Sequence, residues 1–242
     1  MGAMCSRALT FEARAKVNLC LAISYPPHDG YHDARSVFQE LDLHDVLRMH
    51  VSEDIAEDAL RTGMGTRVAL TCEVDDLDSR DNLVFRAVDA AEQACGCPVV
   101  AAGAALVIDI EKRIPAGGGL GGGSSDAAAA LKAYAQLTGI DALDDRIVAV
   151  ARELGADVAF FLHGQAALMG GRGDMFERAL PPLQAPIVLM GSSDGLSTAT
   201  VYRAFDGRPV PAPDADALAR AMDDAPDDFA CLAALCANNL GP

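Results

Sequence analysis

Between Pro115 and Leu131 the chain reads PAGGGLGGGSSDAAAAL, with glycine at six of the seven positions from Gly117 to Gly123. Such a run cannot build a core, because glycine has no side chain to bury and loses the most backbone freedom on folding. Its use lies in the backbone itself. Ser124, Ser125 and Asp126 are helix-starting residues, Ala127 to Leu137 has high helix propensity, and Gly139 marks a stop. Upstream, Ala104 to Ile110 is rich in apolar residues and includes the β-branched Val107 and Ile108, which predicts a strand. Strand, glycine loop and helix N-terminus in that order gather bare N–H groups and the positive end of a helix dipole, which suits a phosphate. A flexible linker is the alternative, but linkers are rarely followed so abruptly by a capped helix.

Two familiar phosphate loops do not fit. A Walker A loop needs Gly-Lys followed by Ser or Thr, and no lysine lies between Lys112 and Lys132. Gly117, Gly119 and Gly122 satisfy GxGxxG, as any stretch this dense in glycine would. A dinucleotide fold would also start the loop directly after the strand, whereas Glu111, Lys112, Arg113, Ile114 and Pro115 intervene here.

At 242 residues, 51% of them hydrophobic, the chain has room for one large or two modest domains with a substantial core. A formal charge of −16 argues against nucleic acid or an anionic membrane as partner, leaving a small ligand. No apolar stretch has the length of a membrane span, and no basic segment followed by a long apolar one opens the chain; the expected location is the cytoplasm. Seven cysteines without a CxxC pair read as reduced thiols, mostly packing residues.

Only three of the 19 basic residues are lysines: Lys16, Lys112 and Lys132. In a chain that prefers arginine, a retained lysine marks a place where a compact ammonium is needed, or chance. From Ala13 to Ile23 the odd positions are all apolar, predicting a half-buried strand whose other face carries Arg14, Lys16 and Asn18. Lys16 and Asn18 could point together at an anion, or belong to an ordinary solvated face. HDGYH, from His28 to His32, predicts a turn from which an aromatic and an imidazole project. In LGADVAFFLHG, a helix over Asp144 to Glu153 stops near Gly155, and Asp157 precedes the apolar run Val158 to Leu162. Asp157 either caps the next turn or, partly desolvated, acts as a base partnered by a cation such as Lys16.

Together, ARAKVNLCLAI with DGYH, PAGGGLGGGSSDAA and LGADVAFF resemble the GHMP kinase superfamily, supported by RDNLVFRA (Arg80 to Ala87) and LSTATVY (Leu196 to Tyr202). The GYH turn after a KxN strand points to the branch that phosphorylates a cytidine-diphosphate-linked methylerythritol on its 2-hydroxyl, in non-mevalonate isoprenoid synthesis. The resemblance implies ATP and Mg2+ as cofactors, with metal ligands left unassigned. It implies Lys16 and Asp157 as catalytic residues, and a nucleotide site from Lys112 and the loop Pro115, Ala116, Gly117, Gly118, Gly119, Leu120, Gly121, Gly122, Gly123, Ser124 and Ser125. It implies Asn18, Tyr31, His32 and Tyr202 as substrate contacts, the last three around the cytosine.

The fold implied is α+β, a two-domain GHMP kinase with the active site in the interdomain cleft. Residues 1–164 would form a ribosomal S5 domain 2-like ATP-binding domain and 165–242 an incomplete ferredoxin-like one; a homodimer is compatible. Residues 164–174 read as a glycine-punctuated hairpin and 207–216 as a surface loop. Three departures from the family stand out. Ala159 replaces a usual proline, the segment NNLGP has Asn239 and Gly241 where the family has NDLEP, and the third glycine-serine motif is absent before Pro242. The alternatives are therefore a non-catalytic nucleotide-binding relative or a GHMP kinase for another small alcohol.

Overall fold

The computed structural model describes residues 8–28, 30–54, 59–72, 79–190 and 198–240. Asp29, Leu196, Ser197, Gly241 and Pro242 of the motifs above lie outside them. The elements are β1 (Leu9–Ile23), β2 (Ala34–Ser52), β3 (Leu60–Arg61), β4 (Arg67–Cys72), α1 (Leu83–Cys95), β5 (Ala105–Glu111), α2 (Gly122–Thr138), α3 (Asp145–Leu154) and α4 (Ala156–His163). They continue with β6 (Ala166–Gly170), β7 (Met175–Ala179), α5 (Thr198–Gly207), α6 (Ala215–Asp224), α7 (Phe229–Leu235) and β8 (Ala237–Asn238). They form two compact units, one from the residues up to Ala15, Leu43–Ile114 and Gly122–Leu162, the other from Lys16–Asp42, Pro115–Gly121 and the residues from His163 on. Strands β1 and β2 contribute to both.

In the first unit the strands run β3-β4-β5-β2-β1, with β4 and β5 parallel and β5 antiparallel to the second half of β2 from Val46 to Ser52. Helices α1, α2 and α3 pack on one another. The alanine run of α2 explains how: Ala127, Ala128, Ala129, Ala130 and Ala133 are all buried, so small residues let neighbours approach while Leu131 and Tyr134 fill volume. Gly139, at φ 73°, ends the helix and Ile140 N–H closes onto Ala135 C=O, a left-handed stop of the expected kind.

In the second unit β6 pairs with the first half of β2 and with β7, and the second half of β1 pairs in parallel with β8. A hairpin is present but extends past the expected 164–174: that segment supplies only β6 and the turn, with Gly171 and Gly173 at positive φ, and the return strand is β7. Helix α6 is fastened to β2 by Arg35, whose guanidinium grips both oxygens of Asp216 at 2.7 and 2.6 Å and reaches Glu177 on β7 at 2.7 Å.

Several expectations are corrected. Helix α2 begins at Gly122, so two glycines of the run are helical and Ser124 to Asp126 lie inside the helix rather than at its cap. A Cβ on Gly122 would come within 3.1 Å of Ile114 Cγ2, a tight contact that glycine avoids where the helix starts. Strand β1 starts at Leu9 and does not alternate after Ala15: Lys16, Cys20 and Ala22 are buried, while Val17, Leu19 and Leu21 are partly covered. Cys20 packs with α6 and α7, and Leu21 and Ile23 pack with Phe205 of α5. The six cysteines among the described residues are free, but of these only Cys20 is buried, and Cys231 and Cys236 are exposed. Helix α6 begins inside the expected 207–216 loop because Asp214 accepts from Ala217 N–H and starts it.

Asn239, a departure from the family pattern, has a structural account. Its Oδ1 accepts from Ile23 N–H at 2.8 Å, and its Nδ2 donates to Ile23 C=O at 2.9 Å and to Val210 C=O at 3.0 Å. A buried side chain that must donate twice and accept once suits an amide and not a carboxylate. Asn239→Asp is expected to destabilise the fold by about 1–3 kcal/mol, measured as a lower urea midpoint, because two carbonyls would lose their donor and face a carboxylate.

Candidate functional site

The glycine segment leaves β5 and arrives at α2 through an exposed loop, Pro115 to Gly119, with Leu120 to Gly122 half-buried. Gly117, Gly119 and Gly121 take positive φ of 75°, 69° and 73°. These left-handed angles cost a side-chain-bearing residue about 1–2 kcal/mol each, which is why the run is glycine. Beyond the positions a Cβ would occupy on Gly117 and Gly119 there is open space within 4 Å. The loop therefore turns its backbone outward immediately before a helix of 17 residues.

Lys16 sits at the centre of a buried polar chain. Its N–H donates to Leu120 C=O of the glycine segment at 2.9 Å. Its Nζ donates to Asn18 Oδ1 at 2.8 Å and lies 4.8 Å from the centre of the Phe38 ring. Asn18 Nδ2 donates to Ser36 Oγ at 2.8 Å, and Ser36 Oγ donates to Cys20 C=O at 2.6 Å. Lys16 and Asn18 thus share a face as expected, but that face is not solvated: Lys16 is only 6% exposed. A desolvated ammonium oriented by an amide and held to the phosphate-type loop is preorganised to meet an anion.

Lys112, at the end of β5, lies between two carboxylates. Its Nζ pairs with Asp45 Oδ2 and, at 2.6 Å, with Asp126 Oδ2. Asp45 is fully buried, and its Oδ1 accepts from the N–H groups of Arg113 and Ile114 at 2.5 and 2.8 Å. Asp126 is buried too, and its Oδ1 has no hydrogen-bond partner among the described residues. Burial pushes the Asp126 carboxyl up to about 6, with Lys112 pulling the other way and Asp45 adding to the rise. For Lys112 burial works against the charge, yet the two carboxylates prevail and its pKa is raised. Neither the Asp45 contact nor the Asp126 pairing was expected. A signal existed for the first: Asp45 occupies the inward register shared by Leu47 and Met49, where an aspartate is out of pattern.

Asp157 lies half-buried in the first turn of α4, where the helix dipole favours its charge. The preceding Gly155 comes close to α2: a Cβ there would stand 4.0 Å from Ser124 Oγ. The turn carrying Asp157 therefore abuts the first turn of α2.

The third group surrounds the turn from His28 to Tyr31, closed by reciprocal backbone bonds of 2.8 and 2.9 Å between those two residues. Tyr31 projects into solvent, as expected, with the Arg172 guanidinium 3.5 Å over its ring centre. His32 does not project. Its side chain is 8% exposed, with Nδ1 2.7 Å from Ser24 C=O and Nε2 2.9 Å from Asp206 Oδ1. Its ring lies 5.5 Å from Tyr202 and from Phe205 and stacks at 6.5 Å on Tyr25. The ring turns inward, with an oxygen beside each nitrogen and aromatic rings around it. Tyr202 packs against Ile23, Ala34 and Phe205, and its burial pushes its hydroxyl pKa up. Arg172, Phe205 and Asp206 were not legible, because they come from segments remote in the chain.

Residues 82–165 match the model of the GHMP kinases N terminal domain. A 4-diphosphocytidyl-2-C-methyl-D-erythritol kinase of Pelotomaculum thermopropionicum is 40% identical over 93% of this chain, which spans 74% of that protein. The enzyme of the same name from Corynebacterium diphtheriae is 36% identical over 84% of the chain, covering 66% of its own length. A crystal structure of 4-(cytidine 5'-diphospho)-2C-methyl-D-erythritol kinase superposes with a TM-score of 0.61 at 33% identity, covering 88% of this chain and 71% of that one. Fold and glycine segment are thus those of an α+β small-molecule kinase of the GHMP class. Within that class the chain belongs to the 4-diphosphocytidyl-2-C-methyl-D-erythritol kinase family.

The buried cluster has a pH signature. A carboxyl whose folded pKa lies above its unfolded value binds more protons in the native state, so its contribution falls as pH rises from about 4 to about 6. Urea denaturation across that window is expected to show a decline of no more than about 3 kcal/mol that Asp126→Asn abolishes. An unchanged profile in the variant would assign the decline to another group.

Proposed function

We propose that this chain transfers the γ-phosphoryl group of ATP to the 2-hydroxyl of 4-diphosphocytidyl-2-C-methyl-D-erythritol, with residues 1–164 as the ATP-binding domain and 165–242 as the C-terminal domain. The observation that carries this reading is the 2.9 Å bond from Lys16 N–H to Leu120 C=O, which ties the lysine strand to the glycine loop. Phosphoryl transfer asks a protein mainly to position anions and spread charge. The outward backbone of Gly117 to Gly123 and the start of α2, with Ser124 and Ser125, hold the phosphates; Lys112 fixes this segment by its two carboxylates. Magnesium entering with the nucleotide would supply neutralisation of phosphate charge. Among the described residues no three acidic, histidine or cysteine side chains gather to hold a metal, which suits an ion carried largely by phosphate oxygens.

On the acceptor side Asp157 takes the hydroxyl proton as general base, and Lys16, held by Asn18, stabilises the charge that develops. Tyr31 offers a face for the cytosine, the face on which the Arg172 guanidinium now stacks. His32, fixed by Ser24 and Asp206, and Tyr202 behind it form the rest of the ring's surroundings. No helix among the described residues is long and apolar enough to cross a membrane, and cytoplasmic work on a soluble nucleotide fits the reading, as does a homodimer.

Purified protein given ATP, magnesium and the diphosphocytidyl substrate is expected to release ADP. Asp157→Asn should lower kcat by roughly 10²–10⁴-fold with the KM of both substrates little changed. His32→Ala should raise the KM for the cytidine substrate alone. Undiminished turnover in the aspartate variant would sink the mechanism, and unchanged cytidine KM in the histidine variant would favour another alcohol as acceptor.

A further inference from the structure

Asp45 has no part in the chemistry above, yet its carboxylate is entirely buried and spends its hydrogen bonds on the two ends of the glycine segment. At the entrance, Oδ1 receives the N–H groups of Arg113 and Ile114, the last residues before the loop. Toward the exit, Oδ2 holds Lys112, whose ammonium reaches Asp126, the fifth residue of α2. A Cβ on Gly122 would stand 3.5 Å from Asp45 Oδ2, so the carboxylate also lies against the residue where the helix begins.

Nothing in the loop's own sequence can set the distance between these ends. Gly117, Gly119 and Gly121 are each free to take many conformations, and an exposed loop of this composition gains little from packing. A span between Ile114 and Gly122 held by one buried carboxylate removes that freedom. We propose that Asp45 is the positioning residue of the nucleotide loop: by fixing the loop's entrance and, through Lys112 and Asp126, its exit, it sets the backbone that receives the phosphates. The inference rests on the ATP reading for its ligand but not for its structural content. A buried ion pair is a costly way to gain stability alone, whereas a two-ended grip on a glycine loop needs a group that accepts from backbone and from ammonium at once.

Asp45→Asn keeps the shape and the acceptor for the two N–H groups but removes the charge that Lys112 faces; Asp45→Ala removes both. Three measurements on the full chain decide: thermal unfolding, calorimetric titration with ATP, and hydrogen exchange of the peptide spanning residues 113–123 without nucleotide. In folded Asp45→Asn the loop peptide is expected to exchange about tenfold faster while α6 is unchanged, and the Kd for ATP to rise by about tenfold. The KM for the cytidine substrate should stay at its wild-type value, a split that general loss of stability would not produce. Should the alanine variant fail to fold, the asparagine variant alone decides. Loop exchange and ATP affinity within about twofold of wild type would overturn the proposal. A wild-type chain that binds no ATP would instead overturn the kinase reading, and the exchange comparison would still judge Asp45.

Discussion

A loop with the role proposed for the glycine segment must satisfy two opposed demands, and its surroundings meet both. Its N–H groups have to face outward without side chains in the way, which requires glycine, and glycine is the residue least able to hold a shape. The exposed backbone from Pro115 to Gly119 is accordingly bracketed by buried ionic contacts, with Asp45 and Lys112 before it and Asp126 after it. Lys16 grips the same segment once more through Leu120. Order is supplied by neighbours because the loop cannot supply its own.

That division of labour explains why charge is buried where it is. Of the three lysines, Lys16 and Lys112 are largely withdrawn from water and each is held by oxygen-bearing side chains. Two carboxylates against one ammonium leave Asp126 with an oxygen unmet among the described residues and a carboxyl pushed up to about 6, a balance that a purely apolar core would avoid. Such a balance persists where geometry matters more than stability, next to a site rather than in the alanine-packed middle of α2.

The elements that hold the site were legible because their signals are local. The loop's glycines, the strand before it, the capped helix from Asp145 and the stop at Gly139 each follow from a few adjacent residues. The start of α2 was misplaced because what decides it is the room left by Ile114 against Gly122, a contact between residues eight apart. The inward turn of His32 was hidden for a like reason: Ser24 follows β1, while Tyr202 and Asp206 lie on α5, remote in the chain. Alternation in β1 failed where helices from the far end of the chain cover the face that pattern left open.

A chain with a net charge of −16 that works on two anionic substrates has to separate its bulk field from its local one. Screening limits surface charge to about 8–10 Å at physiological salt, while a cation held in a buried polar chain is screened far less. Lys16 is such a cation, and the outward amides and dipole of the glycine segment add positive potential without any formal charge. Near Tyr31, Arg172 is already seated on an aromatic face, so positive charge also lies at the face proposed for the cytosine. Positive potential is thus set at a few points of a chain whose overall charge is strongly negative.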